Sequence, residues 1–229
     1  MMLSAPNAAE RIAHRGSPRE RTENTLPGFL LALEHGADAV ELDVHVSGDG
    51  EVVVHHDFTA AGTVIASTPW SALEQLALPG GARIPTLRDV LHAIGDRATV
   101  YVELKGAAVE NAVIPVVREH GRRYALHSFD HAAITRCATA APDIARGVLI
   151  DGREPRPLEV MRAAVAASRP RDVWPHYTLV DHHFMEAAGS FGLRVIPWTV
   201  NARDVATRLL RLGVAGICTD DVRLLHNLG

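Results

Sequence analysis

TVYVELKGAAVENAVIPVVREHGRRYALHSF, residues 99–129, reads as strand, helix and strand. TVYVELKG and YALHSF are rich in β-branched and apolar residues, the composition of strands buried on both faces. Between them AAVENAVIPVVREHG carries apolar residues at helical spacing and stops at a glycine, as a helix C-cap does. A helix of this length returns the chain to its starting end, so the two strands run parallel.

The same alternation continues in both directions. RIAHR and AVELDVHV lie upstream, and ARGVLI, DVWP, LRVIPWTV and GICTD lie downstream, which makes eight strands in all. TLPGFLLALEHG, TLRDVLHAIG, HAAITRCATAA, PLEVMRAAVAAS, FMEAAGSFG and ARDVATRLLRLG supply further helices. No Ser/Gly linker, low-complexity tract or repeat divides the chain, so residues 1–229 read as a single domain. Eight strand-then-helix units fit a closed (β/α)8 TIM barrel better than an open doubly wound sheet. An open dinucleotide-binding sheet would want G-x-G-x-x-G after its first strand, and HRGSPRE is not that. AVELDVHV is the exception to the alternation, because Asp49-Gly50 in SGDGEVVVHHD signals a tight hairpin turn. A short insertion over about residues 47–85 is therefore expected after the second barrel strand.

Composition excludes several partners. Lys and Arg number 23 against 27 Asp and Glu, a net charge of -4, which does not suit a nucleic-acid binder. MMLSAPNAAE lacks the basic start and apolar run of a signal peptide, and no stretch approaches a membrane span. A cytoplasmic protein without stable membrane insertion is the expectation. Cys137 and Cys218 are too few for a disulfide framework or a zinc cage and read as free buried thiols.

In a barrel, chemistry belongs at the C-terminal ends of the strands. Alternation puts Glu41 and Asp43 on one face of AVELDVHV, and Glu103 and Lys105 on one face of TVYVELKG. Three carboxylates suit a hard divalent cation, Mg2+ or Ca2+; the plainer alternative is a set of buried salt bridges with Lys105 and Arg15. His14 closes the first strand, and His55-His56-Asp57 closes the second hairpin arm, where only one of the adjacent histidines can face inward. His45, on the face of Glu41 and Asp43, is a weaker candidate. Arg15 can grip a phosphate bidentately and Lys105 adds a point charge. Two histidines, a cation and these charges fit phosphodiester hydrolysis, one imidazole activating the attacking oxygen and the other protonating the leaving alkoxide.

HRG followed by ENT, then ELDV, VVVHHD, VELK, WTVN and TD together resemble the glycerophosphodiester phosphodiesterase family, in order from Ile12 to Asp220. The resemblance implies a TIM barrel that hydrolyses small glycerophosphodiesters to glycerol 3-phosphate and an alcohol with a divalent metal. It implies His14 and His56 as the acid/base pair, and Glu41, Asp43 and Glu103 as metal ligands. Arg15 and Lys105 fall on phosphate-contacting positions, Glu23 on an acid that orients Arg15, and Trp198 on an aromatic beside the glycerol. Asn24 and Thr25 begin the first helix, with structural roles as candidate N-caps. The chain departs from the family pattern after Asp57, where FTAAGTVIAST lacks the usual arginine, and at TDDVRLL, which lacks the usual basic residue and proline. The competing readings are a lysophospholipase D-type enzyme, which would want an apolar groove or interfacial helix, a non-catalytic phosphate- or metal-binding barrel, and a metal-dependent aldolase or isomerase.

Overall fold

The computed structural model describes residues 9–121 and 123–228. Residues 1–8, part of the stretch read as no signal peptide, lie outside the described residues.

Eight parallel strands form the barrel. They are β1 (Glu10–His14), β2 (Ala39–Val46), β6 (Thr99–Leu104), β7 (Tyr124–Ser128), β8 (Arg146–Ile150), β9 (Asp172–Pro175), β10 (Arg194–Val195) and β11 (Gly216–Thr219). Hydrogen-bonded neighbours run β10-β9-β8-β7-β6-β2-β1-β11. Main-chain bonds then join the two ends, from Ala215 N to Val195 O at 2.9 Å and from Cys218 N to Pro197 O at 3.0 Å. The run LRVIPWTV contributes only two residues of regular strand, yet its chain stays paired beyond them, as Ile196 N donates to Val173 O at 2.9 Å. Proline at 197 has no N–H to continue the ladder, which shortens the strand.

Helices α1 (Leu26–Glu34), α3 (Leu87–Ile94), α4 (Glu110–His120), α5 (His131–Ala140), α6 (Pro157–Ser168), α7 (His182–Ser190) and α8 (Arg203–Arg211) surround the strands. α3 starts with a capping box, in which Thr86 accepts from the Asp89 amide and Asp89 accepts from the Thr86 amide. Strand residues of one parity, such as Val40, Leu42, Val100 and Val102, pack outward against the helices. Residues of the other parity fill the barrel with Ile12, Ala39, Tyr101, Ala125, Leu149, Trp174, Ile196 and Cys218. Both cysteines are free and buried.

The interior is layered along the barrel axis. At the N-terminal end Arg194 is paired with Glu10 and Asp172, and the Tyr101 hydroxyl donates to Glu10 at 2.7 Å. The apolar layer lies above this plug and supports the polar side chains at the C-terminal end. Between β2 and α3 the chain turns through the hairpin strand β3 (Val52–Val54), the small pair β4 (Thr59–Ala60) and β5 (Thr63–Val64), and α2 (Trp70–Leu73). The expected hairpin is present: β3 pairs antiparallel with β2, and Gly50 at φ +95° makes the turn. Val53, Ala60, Ile65, Leu73, Leu78 and Ile84 give this segment a small apolar core of its own.

Candidate active site

Register brings the polar residues together. His14 of β1 is aligned with Glu41 of β2, Asp43 with Glu103 of β6, and Glu103 with His127 of β7. Glu41, Asp43, Glu103 and His127 are all buried, so these polar groups face one another rather than water.

Asp43 is the most heavily contacted. Arg15 Nε stands 3.1 Å from its Oδ2 and Lys105 Nζ 3.3 Å from its Oδ1. Asn24 Nδ2 donates to it at 2.8 Å, and the Asp43 amide returns a bond to Asn24 Oδ1 at 3.3 Å. Burial alone would raise the Asp43 pKa, but Lys105, Arg15 and Asn24 outweigh it and hold the carboxyl below its ordinary range. Glu103 goes the other way. Burial, with the Asp43 charge beside it, pushes Glu103 up to about 7 against the pull of Lys105, whose Nζ is 3.2 Å away.

Asn24 and Thr25 differ from the expectation of helix caps. Thr25 sits at the N-cap of α1 without a side-chain cap bond and donates instead to Thr22 O at 2.6 Å. Asn24 is fully buried at φ +56° and belongs to the site through Asp43. Its amide also donates to Arg15 O at 3.0 Å, so the two left-handed residues, Arg15 at φ +55° and Asn24, close one loop on each other. Gly16 within that loop has φ +90°, and a Cβ there would lie 2.7 Å from the Gly28 carbonyl carbon, so only glycine fits. Glu23 takes both contacts of Arg15 Nη1, at 3.1 and 3.3 Å.

Each of the two histidines carries a carboxylate on Nδ1. His14 Nδ1 is 2.7 Å from Asp220 Oδ1, and His56 Nδ1 is 2.8 Å from Asp57 Oδ1. Hydrogen bonds hold both carboxyls below their ordinary range, against burial that is the larger influence on Asp220. Both are therefore ionised acceptors, which places the imidazole proton on Nδ1 and leaves Nε2 for proton exchange. For His14, burial disfavours the charged ring, but Asp220 and Glu41 outweigh it and raise the pKa above its ordinary value.

His45 has a different job. Burial pushes its pKa below the ordinary value, and its Nε2 bonds to the His56 carbonyl at 3.1 Å while its ring meets Phe58 edge to face at 5.1 Å. His55 Nε2 bonds to Thr59 O at 3.2 Å. Trp198 donates from Nε1 to Trp174 O at 2.9 Å and packs between Phe129 and His176, on the β7 to β10 side of the mouth and outside the carboxylate cluster.

Three residues of the candidate site escaped the sequence reading. Asp220 and Asn201 stand in TD and WTVN, where Asn201 Nδ2 donates to Asp220 Oδ2 at 2.6 Å and Asn201 Oδ1 accepts from the Asp220 amide at 3.0 Å. His127 could have been found from parity, since it follows Ala125 on the inward face of YALHSF.

The donor set fits a divalent cation. One ligand atom from each of Glu41, Glu103 and His127 lies within 4.8 Å of the others, both nitrogens of His127 lack a hydrogen-bond partner, and Glu103 resists ionisation without added positive charge.

Comparisons with known proteins agree with this architecture. The model of the Glycerophosphoryl diester phosphodiesterase family matches residues 14–224. A glycerophosphodiester phosphodiesterase of Caldanaerobacter subterraneus subsp. tengcongensis is 31% identical, over 95% of this chain and 96% of that protein. The crystal structure of a Thermotoga maritima glycerophosphodiester phosphodiesterase superposes with a TM-score of 0.83 at 29% identity, covering 97% of this chain and 100% of that one. An Oleispira antarctica phosphodiesterase in complex with the product sn-glycerol-3-phosphate gives 0.83 at 25% identity, covering 95% of each chain. With the barrel, the strand-end acids and a family match over nearly the whole described chain, this protein belongs to the glycerophosphoryl diester phosphodiesterase family and is an enzyme of that class.

Proposed function

We propose that this enzyme hydrolyses small glycerophosphodiesters to glycerol 3-phosphate and an alcohol in a cation-dependent reaction, with His14 and His56 as the acid/base pair. The observation that carries this reading is the pair of histidine–aspartate contacts, His14 with Asp220 and His56 with Asp57, next to a buried acidic cluster. A carboxylate on Nδ1 fixes the tautomer and aims Nε2, which is what a proton-transfer group needs. One imidazole takes the proton of the attacking oxygen, and the other gives a proton to the departing alkoxide.

Glu41 and Glu103, whose donor atoms gather with one of His127, would hold the divalent cation, of the Mg2+ or Ca2+ type, with Asp43 aligned beside Glu103 as a further carboxylate. When bound, the ion supplies positive charge against the phosphate oxygens. Arg15 and Lys105 do the same from the protein side, and Glu23 orients Arg15 through its Nη1 while Nε faces Asp43. Trp198 offers an apolar face to the glycerol. The chain works as one domain, with residues 47–85 forming a short cover beside the strand ends.

The relatives named above support the substrate class, the Oleispira protein through its bound product. The test is phosphorus NMR of glycerophosphocholine and, separately, of a lysophospholipid, each with Mg2+, with Ca2+ and with chelator. Glycerol 3-phosphate from the small diester, and only with cation, is expected. Turnover of the lysophospholipid alone would replace this reading with the lipid-directed one, and no turnover of either would favour a silent barrel.

A further inference from the structure

His127 brings a nitrogen donor to a site that the sequence describes only in carboxylates. It is 1% exposed, aligned with Glu103 across the β6–β7 pair. Tyr101 stacks on the ring at 6.3 Å and Trp174 meets it edge to face at 4.4 Å, so the imidazole is held in place and cannot turn out to water. Among the described residues, neither ring nitrogen has a hydrogen-bond partner. A buried polar side chain without a partner calls for an explanation, and an ion is one.

The spacing supplies it. His127 Nε2 lies 3.5 Å from Glu41 Oε1, and Glu103 completes a set whose donor atoms fall within 4.8 Å of one another. Two ligands each about 2.1 Å from a shared ion stand roughly 3 to 4 Å apart. Asp43, by contrast, already faces Arg15 at 3.1 Å and Lys105 at 3.3 Å and accepts from Asn24. The imidazole has only the 3.5 Å approach to Glu41 and no hydrogen bond at either nitrogen.

Resting on the cation site of the proposed function, we infer that His127 is a ligand of that ion and makes the site a mixed carboxylate–imidazole centre that prefers Mn2+ or Co2+ to Mg2+ or Ca2+. Imidazole nitrogen adds affinity for first-row transition ions and adds little for the alkaline earths. The competing arrangement is an imidazolium paired with Glu41, in which the ion would see oxygen alone.

Pulsed electron paramagnetic resonance on the chelator-stripped full chain reloaded with Mn2+ separates the two. A nitrogen coupling on the bound Mn2+ is expected, changed by 15N-histidine labelling and lost in His127→Gln. Competition titrations should give the wild type at least about tenfold tighter binding of Mn2+ than of Ca2+, with that ratio shrinking about tenfold in His127→Gln. If His127→Gln does not fold, the double variant His14→Gln/His56→Gln decides instead, because the coupling must survive it. Mn2+ bound without nitrogen coupling, coupling that persists in His127→Gln, or coupling lost in the double variant overturns the inference. Oxygen-only Mn2+ with diester turnover intact removes His127 alone, whereas absence of any Mn2+ binding removes both this inference and the cation in the proposed function.

Discussion

His14 Nδ1 and Asp220 Oδ1 stand 2.7 Å apart although 206 residues separate them in the chain. The contact exists because β1 and β11 are neighbours in the closed barrel, with Ala13 aligned to Thr219, so that the next residue of each strand meets the other at the rim. Asn201 clamps Asp220 from the β10 side with its amide and its carbonyl oxygen.

Replacing Asp220 by Asn should therefore change the titration of His14 as well as the rate. Burial lowers the His14 pKa, and Asp220 and Glu41 raise it past its ordinary value. Without the Asp220 charge, burial gains the upper hand and the limb of the pH–rate profile that reports His14 moves to lower pH, whether His14 acts as acid or base. Turnover should fall by about 10²- to 10⁴-fold, the range for mispositioned or lost proton transfer. An unmoved limb would detach Asp220 from the chemistry.

Asn24 can be tested through stability. Asn24→Gly keeps the left-handed backbone and loses only the Asp43 contacts, a loss of about 1–3 kcal/mol for a buried bond to a charged group. Asn24→Ala loses the same contacts and adds about 1 kcal/mol for a Cβ at positive φ. Urea denaturation should rank wild type above Asn24→Gly above Asn24→Ala. Equal stability of the two variants would remove the backbone part of this account.

Glu103 links cation binding to pH. Its pKa of about 7 in the native state, against an ordinary 4.5, means that the folded chain keeps a proton which the unfolded chain has released. Metal-free stability should then decline as pH rises from about 4.5 to about 7, and a saturating divalent cation should restore it at the upper end. Glu103→Gln should flatten that decline and weaken the response to cation. Melting curves in chelator across this range test it, and an unchanged slope in the variant would contradict the assignment.

Much of the barrel was legible in the sequence because strand and helix alternate with one interruption, the hairpin after AVELDVHV, and because AVELDVHV and VELK put acids on one parity. AVELDVHV coincides with β2 residue for residue, and the Asp49-Gly50 hairpin formed as read. The site was legible where chemistry was carried by residue type: His14, Arg15, Glu41, Asp43, Glu103 and Lys105 converge. What stayed hidden depends on which strands become neighbours. Nothing in YALHSF alone says that His127 will face Glu41, and Asp220 acquires a partner only when the barrel closes. Asn24 misled because asparagine before a helix is a common cap, whereas here its side chain turns inward to a carboxylate.

The most direct test measures turnover of glycerophosphocholine and divalent-cation affinity side by side for wild type, His14→Ala and His56→Ala. The account predicts that each variant loses at least about 10²-fold in turnover while binding the cation nearly as well as the wild type. Either variant keeping most of its turnover would contradict the two-histidine mechanism.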